Sequence, residues 1–160
     1  MGSGVIRRRG ERGLTLVELI VAFTILALLT VMSVPLARGK VRRDKERELQ
    51  RCLREIHKAI DDYKDAANAG KFQVKLGTDG YPESLEQLVE GVKLTGSVEG
   101  KVVKFLRRIP IDPMTGKADW GLRSMQDDPT SDSWGGQSVF SVHSKSYERA
   151  RDGTPYKDWQ

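Results

Sequence analysis

The sequence predicts an α+β protein in which one long N-terminal helix, half apolar and half amphipathic, packs on a small antiparallel sheet. Residues 14–37 form an apolar run whose only charge is Glu18. From Val41 that run passes without a break into apolar residues at helical spacing. Beyond Gly70, glycines and prolines punctuate short segments, two of which have strand composition. With 160 residues there is room for one domain. The apolar N-terminal quarter leaves about 120 residues for a head with a modest core.

Residues 1–13 are polar and basic, with Arg7, Arg8, Arg9 and Arg12. The following run reads LTLVELIVAFTILALLTVMSVPLA. About 24 residues at 1.5 Å each give roughly 36 Å of helix, enough to cross a hydrocarbon core. A secretory signal peptide would have a shorter apolar region followed by a small-x-small cleavage site. Orientation stays open on charge alone. Arginines precede the run, but Arg38, Lys40, Arg42, Arg43, Lys45 and Arg47 follow it.

In the next stretch Leu49, Cys52, Leu53, Ile56, Ile60, Tyr63 and Ala67 recur at steps of three and four, one apolar stripe on a helix. Charges fill the other face, with Arg51–Glu55 and Lys58–Asp62 spaced for i,i+4 pairing. Pro35 and Gly39 are the only breakers, and a proline can kink a helix without ending it. The helix is therefore expected over about 14–68, stopped by Asn68-Ala69-Gly70.

Residues 70–80 read as a loop, and Tyr81 to Val89 as a short helix introduced by Pro82. The segment 91–104, with three glycines, reads as a loop. Phe105 to Pro110 leads into Asp112 to Gly116, which has turn chemistry. Strands are expected at Asp119–Ser124 and Ser138–His143, separated by a polar loop that holds Asp127, Asp128 and Asp132. The chain closes on a turn capped by Trp159.

Composition excludes several functions. The net charge is +5, yet the basic residues cluster on either side of the apolar run. That pattern fits membrane flanks and a solvated helix face rather than nucleic acid. Cys52 is the one cysteine, so no intrachain disulfide forms, and its place on the apolar stripe makes it a small core residue. His57 and His143 have no cysteine or histidine cluster near them in sequence, which argues against zinc. There is no nucleophile elbow and no Gly-rich phosphate loop, so neither an enzyme nor a motor ATPase is expected.

The segment Arg12-Gly13-Leu14-Thr15-Leu16-Val17-Glu18, a basic leader ending in glycine followed by an apolar run, resembles a class III signal, the substrate of prepilin peptidase. The resemblance to type IV pilin-like proteins implies cleavage between Gly13 and Leu14 and methylation of the new Leu14 amine. Glu18 falls where the family's glutamate lies, and Pro35 where many members carry a kinking proline. Leu14 departs from the family's usual phenylalanine but stays apolar. Glycine suits a cleavage junction because it is flexible and uncrowded. A carboxylate left unpaired at membrane depth costs about 2–3 kcal/mol, which pairing with a neighbouring subunit's amine would offset.

Farther on, Tyr81-Pro82, Phe105 to Pro113, Trp134-Gly135, Val139 to Ser144, Asp152-Gly153-Thr154 and Asp158-Trp159 resemble the major, G-type pseudopilin of type II secretion systems. This implies a pilin-like fold with a leader at 1–13, a transmembrane and assembly helix at 14–37, and a periplasmic head at 38–160. It implies a helical homopolymer that meets minor pseudopilins, an inner-membrane assembly platform and prepilin peptidase. Before assembly the subunit would sit in the bacterial inner membrane as a single-pass protein with its head in the periplasm. A type IV pilus or competence pilin subunit is the alternative.

That family commonly holds calcium in the loop before the terminal tryptophan. Here Lys145 to Thr154 is basic and contains one aspartate, Asp152, whereas calcium takes six to eight oxygens, several of them anionic. No cofactor is therefore expected, with Asp127, Asp128 and Asp132 as the alternative place for a cation.

Overall fold

A computed structural model describes residues 15–96, 100–129 and 131–159 and, within the first helix, the side chains of 16–30 and 39–68. The chain divides into two units, Met1–Val41 and Arg42–Gln160. The α+β class holds. Helix α1 spans Leu16–Asn68 and α2 spans Leu85–Glu90. Strands β1 (Val92–Lys93) and β2 (Val102–Val103) pair antiparallel, as do β3 (Gly121–Arg123) and β4 (Ser141–His143). A 3-10 turn at Tyr156–Asp158 follows.

In the first unit, Thr15 begins α1. Its hydroxyl accepts the Glu18 N–H at 3.3 Å and its carbonyl accepts the Leu19 N–H at 3.2 Å. Thr15 with Glu18 three residues on has the spacing of a capping box. Leu16, Val17, Leu19, Ile20, Val21, Phe23, Ile25, Leu26, Leu28 and Leu29 are all exposed. Among the described residues no helix is long and apolar enough to cross a membrane.

The second unit is built on the predicted stripe. Leu49, Cys52, Leu53, Ile56, Ile60 and Tyr63 are all buried, with Ala59 and Ala66 filling the same face. Each large aliphatic side chain contributes about 1.5–3 kcal/mol by leaving water. Phe72 and Phe105 continue the core by packing on Tyr63 at ring distances of 4.9 and 5.3 Å. The helix stops where expected. Gly70 takes φ +66°, and the Gly70 and Lys71 N–H groups bond back to Ala67 and Ala66. This paired closure satisfies the last carbonyls and favours glycine at the left-handed residue.

Several local expectations needed correction. Pro82 lies outside α2, whose cap is Ser84, with a side chain that accepts the Gln87 N–H. The segment 91–104 is not all loop, because Val92 faces Val103 in a short ribbon. The strands form two antiparallel ribbons, β1–β2 and the expected β3–β4. Of the two expected charge pairs on α1, Lys58–Asp62 forms at 2.7 Å, whereas Arg51 turns back to Glu48. The expected strands at 119–124 and 138–143 shorten to β3 and β4 but keep their pairing.

Candidate assembly site

The assembly residues named by the sequence are divided. Gly13 and Leu14 lie outside the described residues. Pro35 lies within α1, among residues whose side chains are not described. Glu18 is exposed in the first turn of α1. Its carboxylate makes no ion pair among the described residues.

The polar side chains near Glu18 behave differently from it. The Thr24 hydroxyl donates to the carbonyls of Ile20 and Val21, and Thr30 donates to Leu26 at 2.8 Å. Thr15 is occupied as the cap. These hydroxyls carry their partners with them, so they enter an apolar environment at low cost. Among the described residues, Glu18 alone on this stretch brings a charge with no internal partner. The arrangement is an apolar surface on every side of a helix, with one carboxylate near its start. A helix that is apolar all round is buried, in lipid or against other protein.

The loop before Trp159 is held by protein donors. Arg149 Nη1 donates to the Gly153 carbonyl at 3.0 Å, and Ala150 N–H to Thr154 O at 2.8 Å. The Asp152 carboxylate accepts from the Thr154 N–H at 2.9 Å and the Thr154 hydroxyl at 2.6 Å, and these bonds hold its pKa below the usual range. Trp159 Nε1 closes the loop on Thr154 Oγ1 at 3.1 Å. Arg42 of α1 donates to the Arg149 carbonyl and to the Tyr156 hydroxyl, and that hydroxyl in turn donates to Glu46 at 2.9 Å. An arginine thus sits where the loop meets the helix, and its charge opposes a cation there.

The other acidic loop is also committed. Asp127 accepts the N–H groups of Ser124 and Gly135, which lower its pKa, and Asp132 pairs with Lys157 at 3.1 Å. Among the described residues no set of three His, Cys, Asp or Glu side chains converges for a metal.

The histidines are structural in placement. His57 Nε2 meets Ser141 Oγ at 3.1 Å and accepts the Val142 N–H at 3.4 Å. These partners assign the ring proton to Nδ1. The hydroxyl–imidazole contact resembles half of a catalytic pair, but Ser141 is buried and the contact joins α1 to β4. His143 lies on Gly121 across the ribbon, where a Cβ would fall inside the imidazole. Burial first and then Arg123 press the His143 pKa down to about 4. Buried Arg123 donates to the carbonyls of Ser131 at 3.0 Å and Lys157 at 3.4 Å.

Sequence reading missed the buried Asp112. It accepts the Met114 N–H at 2.8 Å and the Ser144 hydroxyl at 2.6 Å, joining the 112–116 turn to the end of β4. The Asp-Pro pair inside that turn was the available signal, since Asp favours such turns.

Residues 8–34 match a family described as a prokaryotic N-terminal methylation motif. No curated protein and no solved structure matches the chain. The matched stretch takes in Gly13, Leu14 and Glu18 and ends just before Pro35, so the N-terminal segment is of the prepilin type, which supports the type IV pilin-like resemblance there.

Proposed function

We propose that this chain is the structural subunit of a periplasmic pseudopilus in a type II protein secretion system. The methylation motif over residues 8–34 carries this reading, together with the exposed apolar helix surface from Leu16 to Leu29 that it covers. Prepilin peptidase cuts between Gly13 and Leu14, and the Leu14 amine is methylated. Residues 14–37 hold the subunit in the inner membrane, single-pass, with residues 38–160 as a periplasmic head. In the filament, neighbouring helices replace lipid around the apolar surface. The Glu18 carboxylate of one copy meets the Leu14 amine of the next, so the charge that costs energy in lipid gains a partner on assembly. Pro35 lets the helix bend into that packing. The secretion reading over a type IV pilus or competence pilin rests on the downstream segments from Tyr81 to Trp159. Minor pseudopilins and an inner-membrane platform complete the assembly, and the motor is a separate ATPase.

The test is the mass of the protein isolated from its own cells. A chain starting at methylated Leu14 is expected, and Gly13→Ala leaves a precursor starting upstream of it. A native chain that still carries residues 1–13 overturns the processing step. Neighbouring genes for pilus retraction and adhesins, in place of a secretion ATPase and secretin, would move the assignment to the pilus.

A further inference from the structure

The exposed face of α1 in the second unit has an unusual charge order. Arg43, Arg47, Arg54, Asp61 and Asp65 are all exposed. At 100° per residue they fall on one side of the helix, within about 40° of a common line. The basic residues come first and the acidic ones last. Arg43–Arg47 and Asp61–Asp65 are like-charged i,i+4 neighbours, which weakens an isolated helix. Asp65 also lies in the last turn, where the helix dipole disfavours an anion and no basic residue compensates. Arg43, Arg54, Asp61 and Asp65 make no ion pair among the described residues, and Arg47 has only a 3.9 Å approach to Asp44. A helix arranged for its own stability would interleave these charges, as Glu48–Arg51 and Lys58–Asp62 do between them.

The acidic end borders a cleft. Asp65 and Lys71, with Asp62 already paired to Lys58, line a hollow of ≈ 500 Å³ together with Phe72 and Phe105. A carboxylate free among the described residues, Asp65, beside apolar and aromatic lining suits an arginine, whose stem is apolar and whose guanidinium can meet the acid.

We infer that this face is a docking surface for a second copy of the chain. The acidic end and cleft of one copy receive the basic stretch of another, displaced along the helix by roughly 27 Å, the 18-residue spacing from Arg43 and Arg47 to Asp61 and Asp65. The two patches differ, so the contact is heterologous and propagates into a filament rather than closing a dimer. The inference rests on the assembly reading above and names the head-level contact that sets the stagger between copies.

The test uses the full chain in cells that assemble the wild-type filament. Asp61→Lys with Asp65→Lys, or Arg43→Glu with Arg47→Glu, is expected to lower filament yield roughly tenfold by placing like charges together. All four substitutions combined restore most of the yield, because the acidic and basic ends have only changed places. The melting temperature of each head shows that folding is kept. Should either reversal lower it, Asn and Gln at the same positions replace the reversed charges, again with a loss of filaments expected. Wild-type yield from either reversed pair, or no recovery in the combined variant with its head folded, overturns the docking surface and leaves self-assembly standing. Absence of filaments from the wild-type chain overturns both.

Discussion

Single residues fix the head more tightly than composition suggests. Gly121 is required not by a turn but by the imidazole of His143 lying on it. Gly121→Ala is expected to cost about 1–3 kcal/mol by overpacking, read as a fall in melting temperature. An unchanged melting point would mean that the ring moves freely. His143 also couples the fold to pH. Its folded pKa of about 4 is below the ordinary 6.5, so the unfolded chain takes up the proton first as pH falls. Its contribution is complete above about pH 6.5, is lost progressively toward pH 4, and amounts to about 3 kcal/mol. His57, whose pKa burial also lowers, acts in the same direction. Thermal unfolding followed from pH 7 to pH 4.5 should show a falling midpoint. A flat profile would show that neither ring is held neutral by the fold.

At the scale of elements, the long helix was legible in the sequence from end to end. Periodicity named Leu49, Cys52, Leu53, Ile56, Ile60, Tyr63 and Ala67 as one face; the first six are buried and Ala67 is partly buried. Its stop at Gly70 was equally readable, because left-handed closure has a strong residue preference. The short elements were less so. Strands of two or three residues hold too few alternations for a period to show, so β1 and β2 lay hidden in a glycine-rich stretch. The α2 boundary misled for a related reason. Pro82 is compatible with a first turn, but Ser84 with Gln87 supplies the bonds that a helix start needs. Ser84→Ala is therefore expected to cost about 1 kcal/mol in head stability. In α1, Glu18→Ala is expected to leave processing intact and to reduce filament yield sharply. Wild-type filaments from that variant would remove the amine–carboxylate pairing.

For the whole molecule, the C-terminal loop decides what the head needs in order to fold. Arg149, Asp152 and Thr154 close it from within, while Arg42 and Tyr156 fasten it to α1. Incubation with a calcium chelator is thus expected to leave the melting temperature of the head unchanged. A large drop would place a cation in one of the two acidic loops.

The sequence by itself determined the class, the long helix with its buried stripe, and the prepilin-type segment around Gly13, Leu14 and Glu18. These depend on residue order along one line: a period, a junction, a charge in an apolar run. Only tertiary structure decided that the helix's solvent face ends at an aromatic cleft, that an imidazole rests on Gly121, and that Arg42 reaches the carbonyl of Arg149. Each of these joins residues far apart in the chain, and no local pattern records which distant group a side chain will meet.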